Sequence, residues 1–151
     1  MEIRSMLPSD VKRISEIERQ VFPDAYSERA ILEVLTSETA MCFTALKDGV
    51  PVAYLIGRLI APEGEIYRIA TSPEYRRRGI GYRLLDYSVK VARGMGLEAL
   101  FLEVRESNLP AISLYESYGF KRCGVRRGYY SEPKEDAVLM LFGSSTDLLN
   151  T

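Results

Sequence analysis

From the first residues onward the hydrophobic positions fall into two alternating rhythms. Val11, Ile14, Ile17 and Val21 lie three and four apart, the period of one helix face, and Pro8-Ser9-Asp10 before them is a helix start signal. A second helix follows Ser27, a good cap, with Ile31, Leu32 and Leu35 as its apolar stripe. The period then shortens. Met41 to Lys47 and Val52 to Ile60 suit strands, and Asp48-Gly49 between them tolerates the positive backbone angles of a hairpin turn. Ala61-Pro62-Glu63-Gly64 breaks the chain before a third extended run, Glu65 to Thr71.

In the second half a helix is expected from Gly81 to Arg93, carrying Leu84, Leu85, Ser88, Val91, Ala92 and Met95 on one side, with Gly94 and Gly96 as its stop. Leu100 to Arg105 reads as a strand, Leu109 to Tyr118 as a helix stopped by Gly119. Lys121 to Tyr129 and Ala137 to Phe142 read as a last strand pair, joined by the polar stretch Ser131 to Asp136. Glu65 through the Gly81 helix to Leu100 forms a strand-helix-strand unit, which places two parallel strands side by side by a right-handed crossover. The order predicts an α/β (α+β) domain about one mixed central sheet, spanning residues 1–143, with a loose tail over 144–151.

A chain of 151 residues is long enough for one domain that buries roughly two thirds of its unfolded surface. With 46% hydrophobic and 27% charged residues it is composed like an ordinary globular protein. The net charge of −1 gives no general attraction to nucleic acid or to an acidic membrane, so any anion site has to be local. No apolar run approaches the about 18 residues of a membrane span, and the N-terminus lacks the apolar stretch of a signal peptide; the cytoplasm is the expected compartment. Cys42 and Cys123 match no zinc or redox spacing and read as small buried hydrophobes. There is no histidine. That excludes a Ser-His-Asp triad, a Cys-His pair and a histidine-ligated metal, and leaves acid-base work to carboxylates, tyrosines, lysines, cysteines or water.

One segment stands out as an anion cradle. After the strand ending near Thr71, Ser72-Pro73-Glu74-Tyr75 turns the chain and Arg76-Arg77-Arg78-Gly79-Ile80-Gly81 leads directly into a helix. Unpaired amides and the positive dipole end at a helix start favour a phosphate, and Gly79 and Gly81 let the backbone approach it. Three arginines at a helix N-terminus are otherwise unfavourable, although a solvated basic turn is the plainer alternative. The Gly-x-Gly-x-x-Gly spacing of a dinucleotide site and the Gly-Lys-Ser/Thr of a P-loop are both absent.

Arg76-x-x-Gly79-x-Gly81 after Ser72-Pro73-Glu74-Tyr75 resembles the pyrophosphate-binding motif of the GNAT acetyltransferase superfamily. Glu103-Val104-Arg105-x-Ser107-Asn108, with Ala111, Leu114-Tyr115-Glu116 and Tyr118-Gly119-Phe120, is similar to its RimI-type (ribosomal-protein-alanine) and archaeal N-terminal acetyltransferase branch. The resemblance covers Glu65 to Leu141 and implies a sheet whose two parallel strands splay apart to admit the pantetheine arm of acetyl-CoA. It implies that the backbone of Ile69, Ala70 and Thr71 pairs with that arm, that Arg76 and the amides from Arg77 and Arg78 through Gly79, Ile80 and Gly81 to Tyr82 surround the pyrophosphate, and that Asn108 bonds the cofactor from the other side. On chemistry alone Asn108 is equally a helix cap.

The same resemblance gives Glu103 as general base and Tyr115 as general acid of a metal-free transfer by direct attack on the thioester. Alternation puts Glu103 on one strand face with Phe101 and Arg105, where a carboxylate can take a proton directly or through water, or else pair with an arginine. Tyr115 shares a stripe with Ala111, Ile112 and Tyr118, so core packing competes with its role as acid. A reference α-amine pKa of about 7.7 to 8.0, against about 10.4 for lysine, makes an N-terminal acceptor the easier one to deprotonate. Arg126-Arg127-Gly128-Tyr129-Tyr130 resembles the Arg-Arg-x-Tyr-Tyr segment of RimI-type enzymes, whose tyrosines enclose the peptide entrance. Basic residues interleaved with aromatics are too short a run here to imply nucleic-acid binding.

RimI-type enzymes carry asparagine where Arg68 and Gly128 lie and Pro-Trp-Ser at Ala25-Tyr26-Ser27. Tyr26, Arg68, Tyr129 and Tyr130 are therefore the expected acceptor-side residues, and these departures bear on which acceptor they receive. The leading expectation is acetylation of a protein or peptide N-terminus, a ribosomal protein among the candidates. A small free amine (amino acid, polyamine or aminoglycoside) is the alternative, and a non-catalytic acyl-CoA sensor is a third.

Overall fold

The computed structural model describes residues 1–143; the tail expected over 144–151 lies outside the described residues. In chain order the elements are β1 (Glu2–Ser5), α1 (Val11–Val21), α2 (Glu28–Leu35), β2 (Ala40–Lys47), β3 (Val50–Ile60), β4 (Glu63–Thr71), α3 (Ile80–Gly94), β5 (Ala99–Arg105), α4 (Leu109–Tyr118), β6 (Lys121–Ser131) and β7 (Lys134–Gly143). They build one sheet in the order β1-β2-β3-β4-β5-β7-β6. Every neighbouring pair is antiparallel except β4 and β5, which are parallel and joined through α3. None of the described helices is long and apolar enough to cross a membrane.

Side-chain alternation divides the core between the two faces of the sheet. On one face Phe43, Leu55, Leu100, Leu102 and Met140 pack beneath α3 and α4, which contribute Leu84, Leu85, Ile112 and Tyr115. On the other, Tyr54, Ile56 and Cys42 meet Ile14, Ile17 and Ile31 from α1 and α2. Ser27 caps α2 by accepting a bond from the Ala30 amide, 3.1 Å, as its type and position predict. Asp48 and Gly49 take positive φ values of 52° and 78° at the β2–β3 hairpin.

Several expectations need correction. β1 has no counterpart in the hydrophobic pattern, since four largely polar residues are drawn into the sheet by the edge of β2. The polar stretch 131–136 is mostly strand: β6 and β7 run on to a tight turn at Glu132-Pro133, because an edge hairpin needs no apolar alternation on its solvent side. In α3 the buried positions are Ile80, Leu84, Leu85, Ser88, Val89 and Ala92, while Met95 is 63% exposed past the last turn. Cys42 is buried, but Cys123 is exposed on the outer strand β6.

Candidate active site

The parallel pairing of β4 with β5 is short. Glu63–Ile66 pair with Ala99–Leu102, and there the ladder ends. On its other side β4 carries a bulge: Gly57 pairs with Ile66 and Ile56 with Arg68, leaving Tyr67 as the extra residue. Glycine is required opposite the bulge, since a Cβ on Gly57 would collide with the Glu65 carbonyl oxygen. Beyond it β4 keeps its pairing with β3 through Ile69, Ala70 and Thr71, but among the described residues no strand pairs with its other edge. The splay expected of the two parallel strands is therefore present, and the edge it frees runs through the three residues expected to hold the pantetheine arm.

β4 leads into a 3-10 turn, Pro73–Tyr75, and then into the basic loop. Arg77 and Gly79 both adopt left-handed angles, φ 64° and 74°. The first backbone bond of α3 runs from the Arg83 amide to the Gly79 carbonyl, 3.1 Å, so the Ile80, Gly81 and Tyr82 amides face out of the helix start. Among the described residues no backbone carbonyl accepts from Arg77, Arg78 or Gly79. Arg76 bonds the Thr71 carbonyl through Nε, 3.4 Å, and the Arg78 guanidinium lies 5.1 Å from the Tyr75 ring centroid.

The two glycines of this loop have different surroundings. A Cβ on Gly79 would meet nothing within 4 Å, and it is the backbone angle that calls for glycine. Gly81 faces inward, where a Cβ would lie 3.2 Å from Leu114 of α4, so its bareness serves helix packing.

Two cavities meet at the splay. One, of about 310 Å³, lies in the gap and is lined by Ile69, Glu103, Asn108, Ala111, Tyr115 and Tyr130. The other, of about 1060 Å³, is a cleft walled by Tyr26, Arg68, Glu103, Tyr129 and Tyr130. Glu103 borders both. It sits on the face of β5 shared with Phe101 and Arg105, as alternation predicts, and its Oε1 is 2.9 Å from Nε of Arg126. The ion pair and the place at the junction, alternatives in the sequence, occur together.

Tyr115 lies one helical turn after Ala111, its ring centroid 5.6 Å from that of Phe120 and the residue only 5% exposed. Burial, with a smaller contribution from Tyr130, holds its phenol pKa well above the ordinary value. It packs in the core and still borders the gap. Asn108 caps α4, its Oδ1 accepting from the Ala111 amide at 3.2 Å, and also lines the gap. Tyr129, 54% exposed, has its phenol raised by the Glu103 carboxylate first and by partial burial second. Burial and then Glu103 push Tyr130 up to about 12.

The two walls of the cleft are fastened by arginines from adjacent strands. Arg105 of β5 lies 4.2 Å from the Tyr130 ring, donates to the carbonyls of Pro133 (3.0 Å) and Glu132 (3.2 Å), and pairs with Glu135 at 3.1 Å. Arg68 of β4 lies 4.1 Å from the Phe22 ring and 4.3 Å from that of Tyr26, and donates to the Asp24 carbonyl at 2.8 Å. Its Nε is 3.4 Å from Oε1 of Glu18. Glu18, Tyr54, Asp24 and Arg126 were not foreseen as site residues. Glu18 had a readable signal: four residues after Ile14, it falls on the inward face of α1.

Comparison with known proteins agrees with this geometry. The family model described as "Acetyltransferase (GNAT) family" matches residues 11–120. The chain is 33% identical over 140 residues to the [ribosomal protein bS18]-alanine N-acetyltransferase of Escherichia coli (strain K12), covering 91% of this chain and 94% of that protein. It is 37% identical over 151 residues to the N-alpha-acetyltransferase of Sulfurisphaera tokodaii, covering 91% and 90%. Among solved structures, the ribosomal-protein-S18-alanine N-acetyltransferase from Escherichia coli superposes with a TM-score of 0.87 at 32% identity, over 94% of this chain and 92% of that one.

Proposed function

The chain belongs to the GNAT acetyltransferase family, and from that premise we propose that it transfers the acetyl group of acetyl-CoA to the α-amine of a protein or peptide N-terminus. One observation carries this reading: Glu103 borders both the gap between β4 and β5 and the cleft on its far side, while Tyr115 borders the gap. An acyl donor in the gap and an amine in the cleft would meet at that carboxylate.

The residues fit acetyl-CoA as co-substrate. The free edge of β4 at Ile69, Ala70 and Thr71 offers backbone groups to an extended amide-bearing arm as another strand would. The amides from Arg77 to Tyr82, with Arg76, Arg77 and Arg78, suit a pyrophosphate, each charge-assisted bond being stronger than a neutral one. Asn108 engages the cofactor from α4 while its carbonyl oxygen caps that helix.

In the reaction the neutral amine attacks the thioester carbonyl directly. Glu103 accepts the proton that the new N–C bond displaces, directly or through a water. A backbone amide near Ile69 faces the oxyanion, and Tyr115 gives its proton to the thiolate as the C–S bond breaks. Tyr26, Arg68, Tyr129 and Tyr130 line the acceptor cleft. An acceptor on a ribosomal protein, met in the cytoplasm, is consistent with the relatives' activities.

The test is thiol release from acetyl-CoA with short peptides bearing free or blocked N-termini, beside amino acids, polyamines and aminoglycosides. Free N-termini should react and blocked ones should not. Reaction of small amines alone would defeat the peptide reading, and no release with any amine would leave an acyl-CoA-binding module.

A further inference from the structure

We propose that Arg68 is the positioning residue that sets the acceptor-side wall of the cleft, holding the segment between α1 and α2 rigid against β4. The proposal rests on the reading of that cleft as the acceptor site. Residues 22–27 carry no helix or strand, yet Pro23, Asp24 and Tyr26 form one side of the cleft. The segment is anchored at its ends by the Phe22 amide on the Glu18 carbonyl, 2.9 Å, and by the Ser27 cap. Between those ends the fastening comes from Arg68 and Glu18.

The guanidinium is held from several directions, and among the described residues its buried Nε has no hydrogen-bond partner. The Phe22 and Tyr26 rings both lie close to the guanidinium, their centroids 4.1 and 4.3 Å away, and Nη2 donates to the Asp24 carbonyl and lies 3.3 Å from the Asp24 carboxylate. Nε lies 3.4 Å from Oε1 of the fully buried Glu18, an ion pair without a hydrogen bond. Glu18 in turn accepts from the Tyr26 amide through Oε2 and from the Tyr54 hydroxyl through Oε1, both at 2.7 Å. The chain of contacts thus runs from the core of the sheet, through a buried carboxylate, to the wall that faces the acceptor.

The Arg68 side chain is only 10% exposed, so most of its surface is spent on the wall. Its place on β4 matters as much as its bonds: it follows the Tyr67 bulge and precedes Ile69, which lines the gap. One residue therefore couples the wall's position to the strand that borders the reaction gap. A flat cation that lies against two aromatic rings while donating from its edge suits this place, and lysine, a point charge on a flexible stem, supplies the charge without the stacking.

Hydrogen–deuterium exchange and steady-state kinetics on wild type, Arg68→Asn and Arg68→Lys test the assignment. Amide exchange within residues 22–27 should quicken by about tenfold or more in Arg68→Asn and by less in Arg68→Lys, with α3 unchanged. With an N-terminal peptide acceptor, KM for the peptide should rise about tenfold while kcat and the Kd for acetyl-CoA stay within about twofold. Unchanged exchange at 22–27 in both variants would overturn the proposal. So would quickened exchange throughout the molecule, or a loss confined to kcat. If wild type acetylates no peptide, the acceptor reading fails on that count, whereas the exchange measurement still decides the clamp.

Discussion

A phenol that protonates a departing thiolate must keep its proton until the moment of transfer, and the surroundings of Tyr115 act in that direction. Burial disfavours the phenolate and raises its pKa beyond the ordinary range near 10. The acid form is then complete at neutral pH and is lost only as pH rises through the raised value, so kcat should show no basic fall below about pH 10. Tyr115→Phe should lower kcat by about 10²- to 10⁴-fold and leave the Kd for acetyl-CoA within about twofold. A basic limb at pH 8 to 9 that survives in Tyr115→Phe would assign the proton donor elsewhere. How such residues are read depends on how far away their partners lie. The inward stripe of Tyr115 and the capping position of Asn108 were legible because helix period and cap position are local, whereas their roles in transfer came only from the resemblance. The pairing of Glu103 with Arg126 was not, since Arg126 comes from β6, two elements later, and only the sheet order brings it within 2.9 Å. Cys123 was misread for a related reason: burial of a strand residue depends on whether its strand is central or at the edge.

At the scale of elements, the decisive feature is where β4 stops pairing with β5. Periodicity along the chain predicted both strands and the helix between them, and the right-handed crossover made them parallel neighbours. It could not show that the ladder ends after Ile66 and Leu102, because register is set by contacts between strands rather than within one. The same limit hid β1 and the polar first three residues of β7, which are strands by virtue of their partners. The bulge in β4 sits opposite Gly57, where an added Cβ meets the backbone of Glu65, with Cε of Met41 the nearest side-chain atom. Backbone cannot rotate aside as a side chain can. Gly57→Ala should therefore destabilise the fold by about 1 to 3 kcal/mol or more, measured by denaturant unfolding. It should also weaken acetyl-CoA binding, because straightening β4 would close the edge at Ile69 to Thr71. A Gly57→Ala protein with wild-type stability and affinity would mean that the bulge is not what opens the gap.

For the whole molecule, an acyl donor seated in the gap would replace the sheet pairing that β4 and β5 give up, so fold stability and cofactor occupancy should rise together. A ligand present at a hundred times its Kd adds about 2.7 kcal/mol when it binds only the folded state. For a domain of this size each kcal/mol moves Tm by about 2 to 4 °C, which predicts an upward shift of about 5 to 11 °C with acetyl-CoA. The shift should depend on a local charge and not on the overall one, since 20 basic and 21 acidic residues nearly cancel. Replacing Arg76, Arg77 and Arg78 together by glutamine should leave the ligand-free Tm close to wild type, because among the described residues the Arg76 side chain makes one weak hydrogen bond, 3.4 Å, with the Thr71 carbonyl and the Arg78 side chain lies against the Tyr75 ring. At the same acetyl-CoA concentration the shift should fall to less than about half, as lost affinity enters the logarithm. Raising the salt concentration should erode the wild-type shift more than the triple variant's, because exposed guanidinium–phosphate attraction is screened within about 10 Å at 0.1 M. Equal shifts in the two proteins across that salt range would locate the cofactor's anchor away from the loop, even if the arm still lay along β4.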